Sequence, residues 1–254
     1  MKRLYHALSV GLALILFSGS ASAAEIKVVS VGALQVALNT LAADYTKASG
    51  NTVAFTFTNP TNLAMVLVGG KFDAIVVAAS SVEDLDKAGR FAAGTHIRVS
   101  RTGIGIAVRE GTPKPDLSTS DAFKKYVTQA RNIIYTDPTT VNGSGVLTQR
   151  ILTAAGLWDA VKAKGLQSNN AGAKDLIAKG EYQMAFLNLS ETEAPGVIVA
   201  GPVPAPLQQY TNYDAAVFAD AAAKPEAVSF VKFISAPASA ATWKAAWMEL
   251  TAPK

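Results

Sequence analysis

Short apolar blocks alternate along the chain with longer stretches in which apolar residues recur every three to four positions, the pattern of strands exchanging with helices. The segment 26–31 is almost wholly apolar and predicts a buried strand. Leu34, Val36, Ala37, Leu38, Leu41, Ala42 and Tyr45 then define a helix over 33–48, which Ser49-Gly50-Asn51 stops. The segment 52–57 alternates as a strand. Pro60 opens a helix through Leu63, Ala64, Val66 and Leu67 to Gly69-Gly70, since proline is tolerated in a first turn whose N–H is unpaired anyway. The run 72–78 is apolar but for Asp73, which suits a strand covered on both faces of a parallel sheet.

This β-α-β-α-β opening is followed by a helix near 82–88, a strand over 103–109 and a loop at Gly111–Pro115. A second α/β set comes next. It comprises a helix over 120–129, a strand at 132–135, a helix from Gly143–Ser144, a helix over 171–179, a strand at 183–187 and a short strand at 197–200. Pro202, Pro204 and Pro206 break the pattern. A strand over 213–218 and helices over 225–234 and 238–247 close it, with Trp243 and Trp247 four residues apart as a core stripe. Two α/β sets joined by strand-like crossings predict two lobes, 25–102 with 214–254 and 103–213, flanking a cleft. Ligands of open α/β sheets sit at the carboxyl ends of strands beside helix N-termini. The free N–H groups and positive dipole end found there favour anions.

The first 23 residues follow another pattern. Lys2 and Arg3 precede an apolar run from Ala7 to Phe17 and a small-residue site, Ala21-Ser22-Ala23, which together predict a cleavable secretory signal peptide and a periplasmic protein. The run is shorter than the about 20 residues of a membrane span, and no cysteine follows that could carry a lipid. Of 254 residues, 231 would remain, and the formal charge of +4 would fall to +2 without Lys2 and Arg3. That balance gives no basic surface for nucleic acid. The absence of cysteine excludes disulfides, thiolate metal sites and a cysteine nucleophile. Of the two histidines, His6 lies in the leader, so His96 alone could serve a catalytic triad and no multi-histidine metal site can form. No cofactor is expected. His96 follows Gly94-Thr95 and reads as a solvated loop residue.

Three segments, in order and spacing, resemble the periplasmic molybdate-binding protein family, the type II solute-binding proteins of ABC importers. They are Val28-Val29-Ser30-Val31-Gly32-Ala33-Leu34; Phe57-Thr58-Asn59-Pro60-Thr61-Asn62-Leu63-Ala64 with Gly69-Gly70-Lys71-Phe72-Asp73; and Tyr135-Thr136-Asp137-Pro138 with Gly143-Ser144-Gly145-Val146. The closing Trp243–Glu249 is similar to the family's last helix. The resemblance covers nearly all of 25–250. It implies a monomeric two-lobed α/β protein that closes on a small anion through hydroxyls and backbone N–H groups and delivers it to a membrane ABC permease. Ala33 stands where the family has serine in its first loop, Asn59, Pro60 and Thr61 where it has serine in the second, and Asn188 where it has tyrosine. Pro60 has no N–H to give. The resemblance implies a small anion, a molybdate-like oxyanion or, given these altered serine positions, an organic carboxylate.

The candidate ligand-binding residues are Ser30, Gly32, Ala33, Asn59, Thr61, Asn62, Arg101, Ser144, Gly145, Asn188 and Tyr213. Ser144, Thr61 and Asn62 stand at helix starts, where capping is the competing role. Arg101 and Arg98 precede the crossing strand, and either could grip a carboxylate bidentately or form a structural ion pair. The enzymatic relative on this fold is aconitate isomerase, whose chemistry needs a base to remove an allylic proton and a group to return it. Glu191, Asp137 and Tyr213 are the candidates. The protein reads first as a binding protein, with a cofactor-independent tricarboxylate isomerase as the alternative and a ligand-sensing module for a membrane receptor as a third reading.

Overall fold

The computed structural model describes residues 23–251. The expected signal peptide lies outside them, apart from Ala23. In chain order the elements are β1 (Glu25–Val31), α1 (Gln35–Ser49), β2 (Thr52–Thr58), α2 (Leu63–Gly69), β3 (Ala74–Ala78), α3 (Ala79–Lys87), β4 (Ile97–Arg109), α4 (Ser120–Gln129), β5 (Ile133–Tyr135), α5 (Ser144–Ala154) and α6 (Trp158–Lys164). There follow β6 (Gly165–Gln167), α7 (Asn170–Lys179), β7 (Met184–Asn188), β8 (Val197–Pro202), β9 (Tyr210–Val217), α8 (Lys224–Ser235), α9 (Ala240–Ala245) and β10 (Glu249–Leu250). Two 3₁₀ turns, Gly32–Leu34 and Leu189–Glu191, follow β1 and β7.

The strands lie in the order β2-β1-β3-β9-β4-β7-β5-β6, with β8 and β10 also on β4. Within each half the inner strands are parallel, β2-β1-β3 and β7-β5-β6. The antiparallel pair β4 and β9 runs between them. The apolar blocks of the sequence become these parallel strands, and the two halves have separate cores. One core gathers residues of 26–99 and 213–248, with Leu34, Leu38, Ile75, Phe230 and Trp243 fully buried. The others gather residues of 104–203, around Phe123, Ile133, Ile151 and Phe186 and around Ile177 and Leu187. The architecture is thus a two-lobed α/β fold in which each lobe is a mixed sheet flanked by helices.

Four details depart from the sequence reading. Strand β4 starts at Ile97, six residues before the predicted start at 103. Its first half carries Arg98 and Arg101, whose charges are matched sideways by Asp214 and Glu249 rather than by solvent. Helix α2 begins at Leu63, because Pro60, Thr61 and Asn62 form a turn in which the Asn59 side chain accepts the Asn62 N–H at 2.9 Å. Helix α6 and the short strand β6 were not predicted. They bury only Val161 among themselves and carry little periodicity. Trp243 is a core residue whose indole donates to the Ile234 carbonyl at 2.9 Å. Trp247 is not: α9 ends at Ala245, Trp247 adopts φ 58°, and its ring swings out to donate to Glu193.

Candidate ligand cleft

The carboxyl ends of β1, β2, β3, β5, β6 and β7 converge on a cleft of about 680 Å³. Small-molecule sites range over roughly 300–1,000 Å³. Its walls come from both lobes: Gly32, Asn59, Ala78 and Ser81 on one side, Thr136, Asn142, Ser144, Asn169 and Asn188 on the other. Tyr213 of β9 forms part of the floor, paired in register with Ala78. Among the described residues no lysine, arginine or histidine lines the cleft, and the only charged ones are Asp137 and Glu191.

The donors come from the backbone and from neutral side chains. The starts of three helical segments that line the cleft, at Gly32, Ala79 and Ser144, have no side-chain cap. Their first N–H groups therefore lack the partner a capping side chain would supply. Ser144 is buried, and its Oγ shares a hydrogen bond with Thr136 Oγ1 at 2.8 Å. At α7 Asn169 does cap, accepting from the Gly172 N–H at 2.8 Å. Asn188 donates from Nδ2 to Glu191 Oε2 at 2.7 Å, while its Oδ1 is buried without a partner. Asp137 folds back on its own turn, accepting the Thr139 N–H at 2.8 Å and Oγ1–H at 2.7 Å, and these bonds hold its carboxyl below the usual range. Burial, then the negative charge of Glu191, pushes the Tyr213 phenol far above its usual value, against a small opposing effect of Thr211. It stays a neutral hydroxyl at any physiological pH.

Of the sequence candidates, Gly32, Ala33, Asn59, Ser144, Asn188 and Tyr213 line the cleft. The other five do not. Ser30 is fully buried and donates to the Val76 carbonyl at 2.7 Å, so its hydroxyl belongs to the sheet. Thr61 and Asn62 are exposed in the turn before α2. Gly145 packs its backbone against the preceding loop: a β-carbon there would lie 2.2 Å from the Asp137 carbonyl oxygen. Arg101 pairs with Glu249 at 2.6 Å and lies over the Tyr210 ring, lining a separate hollow with Gln208 and Trp247. Arg98 and His96 are also elsewhere. Both bond Asp214, and His96 Nδ1 reaches Asp86 at 2.9 Å, so His96 is a clamped residue and not a solvated one. The sequence reading missed Ser81, in the first turn of α3 just ahead of the helix start expected at 82, Thr140 and Asn142, in the turn before α5, and the run 167–171, which spans the end of the unpredicted β6 and the start of α7. A hydrophobic pattern carries no signal there.

A cleft between two α/β lobes, at the carboxyl ends of parallel strands, defines a solute-binding fold of the periplasmic type. Residues 26–249 match the bacterial extracellular solute-binding protein family, and the chain belongs to it. Solved structures agree. A protein described as the substrate-binding domain of a molybdenum ABC transporter from Clostridium difficile superposes with TM-score 0.75 at 14% identity, over 90% of this chain and all of that one. The periplasmic molybdate-binding protein of Azotobacter vinelandii gives 0.69 at 22% identity, with 90% and 100% covered. Identities this low establish the fold alone. Aconitate isomerase from a Pseudomonas species is 34% identical over 149 residues, 57% of this chain and 55% of that protein. The chain thus spans about half the length of the curated relative it matches.

Proposed function

We propose that the protein is a periplasmic solute-binding protein that captures a small organic anion in the cleft and hands it to a membrane ABC permease. Lobes 25–102 with 214–254 and 103–213 would close on the ligand by bending at the β4–β9 crossing. One observation carries this reading: three uncapped helical starts meet at one cleft whose lining, among the described residues, holds no cationic side chain. Oriented N–H groups and hydroxyls can replace an anion's hydration shell without a fixed counter-charge. The cleft is roomy, and Asn59, Ser81, Thr136, Asn142 and Ser144 set polar groups into an otherwise largely apolar lining, where they can meet the oxygens of a carboxylate. A thermal-shift panel of molybdate, tungstate, sulfate, phosphate, citrate, cis- and trans-aconitate and tricarballylate tests it. A ligand at 100 times its Kd adds about 2.7 kcal/mol to stability. We expect shifts with the carboxylates. A response confined to molybdate and tungstate, or none at all, overturns the reading.

A second reading is an isomerase of the aconitate type. The observation in its favour is that Glu191 and the neutral Tyr213 hydroxyl both line the cleft, beside the 34% identity to aconitate isomerase. The Glu191 carboxylate could take the allylic proton and, as the resulting carboxylic acid, return it to the other end of the allylic system, while the phenol holds a substrate oxygen. Conversion of cis- to trans-aconitate by the purified protein without cofactor, lost in Glu191→Gln, is the outcome this reading requires. Binding without turnover leaves the transport reading alone.

A further inference from the structure

Glu191 is out of place in a cleft made for anions. An ionised carboxylate offers acceptors only, and an anionic ligand set against it meets like charge. The contacts show which of its oxygens is free. Oε2 accepts from Asn188 Nδ2 at 2.7 Å, whereas Oε1 takes no hydrogen bond from the described residues. That oxygen faces the opposite lobe, 3.6 Å from where a β-carbon on Gly32 would stand. Lys174, the cation that reaches this segment, donates to the Glu191 backbone carbonyl at 3.2 Å and not to its carboxylate.

The Asn188 amide is oriented by the same contact. Its nitrogen must face the Glu191 carboxylate, because the reverse orientation would set oxygen against oxygen. Its Oδ1 is then left buried and unpartnered, in a residue only 5% exposed. Buried acceptors without donors are uncommon and ask for an explanation. The other carboxylate of the lining, Asp137, is occupied by its own turn. One corner of the cleft, beside the turn that starts at Gly32, therefore presents acceptors that no side chain among the described residues meets, while the helical starts at Ala79 and Ser144 present N–H groups without a side-chain cap.

We infer that Glu191 sets the specificity of the cleft, and that its ligand is a carboxylic acid bearing a hydroxyl or ammonium donor, which binds Glu191 Oε1 while its carboxylates face the helix starts. This rests on the reading of the cleft as an organic-anion site. Pairs of ligands that differ in that one group test it by titration calorimetry: citrate against tricarballylate, and malate and aspartate against succinate. The parent protein should bind the donor-bearing member of at least one pair about ten- to a hundredfold more tightly, the span of a hydrogen bond to a charged group. Malate against aspartate distinguishes hydroxyl from ammonium. Glu191→Gln, which can turn its amide N–H₂ toward the ligand, should erase or reverse the ratio with the circular dichroism spectrum unchanged. The ratio in the parent decides the matter even if the variant misfolds. Tricarballylate and succinate binding as tightly as their partners overturns this inference but leaves the organic-anion reading standing. Binding of no carboxylate in the set overturns both.

Discussion

At the scale of single residues, position mattered more than chemistry. Gly32 was legible as a cleft candidate because it ends an apolar block, whereas Asn59, Ser144 and Asn188 were legible mainly through their places in the family resemblance. Ser30 has the right chemistry but not the right direction, since a one-residue shift along a strand reverses the face and its hydroxyl is spent on Val76; Thr61 is exposed in the turn before α2, outside the cleft lining. Gly145 shows a third outcome, a glycine next to the site that is needed for packing. Its virtual β-carbon meets the Asp137 and Thr136 carbonyls at 2.2 and 2.4 Å, both backbone atoms that cannot rotate away. Gly145→Ala should cost about 3 kcal/mol, the upper end of overpacking, as read from chemical denaturation. A midpoint equal to the parent's would show that the loop yields freely.

At the scale of elements, the charged residues before the crossing strand act as ties. His96 bridges helix α3 through Asp86 and strand β9 through Asp214, at 2.9 and 2.8 Å. A neutral imidazole has one N–H, so it can donate to only one of two carboxylates; the protonated ring donates to both. Burial alone lowers its pKa, but the hydrogen bonds and charges of Asp214 and Asp86 outweigh it, and the net shift is upward from 6.5. The folded form therefore binds the proton more tightly than the unfolded chain. The resulting stability is complete below about pH 6.5 and is lost as pH rises through the folded-state pKa. Melting temperature measured from pH 5.5 to 8.5 should fall over that window in the parent, and His96→Gln should remove that part of the fall. A pH profile in the variant that parallels the parent's would refute the clamp. None of this was visible in the sequence, because Asp86, His96 and Asp214 are brought together only by the pairing of β4 with β9.

At the scale of the whole molecule, two contacts span the cleft mouth. Ser80 Oγ donates to Asn142 Oδ1 at 2.9 Å, and Asn142 Nδ2 donates to Ser81 Oγ at 3.2 Å. Asn142 holds φ 60°, a conformation asparagine tolerates better than most residues. Ser81 and Asn142 also line the cleft, but Ser80 does not. Ser80→Ala therefore isolates the lobe-to-lobe contact. A net contribution of about 0.5–1 kcal/mol for one exposed hydrogen bond predicts ligand release two- to fivefold faster with an unchanged association rate, as followed by stopped flow. Equal release rates would place the contact outside the closure equilibrium. The two-lobed plan itself was legible, since two α/β sets and an intervening strand suffice to suggest it. The continuity of β4 from Ile97 was not, since Arg98 and Arg101 masked its first half.

The crossing strands also bear on how the chain reaches this structure. One core joins residues on both sides of the segment 104–203, and β3 completes its pairing only when Ala78 meets Tyr213. A chain that emerges amino end first must hold β1, β2 and β3 with an open edge until β9 is delivered, and long-range strand pairing is intrinsically slow. The inserted lobe has no such wait, because its cores draw on one continuous stretch. It should therefore consolidate first, leaving the amino-terminal strands as the surface in greatest need of protection from other chains during folding.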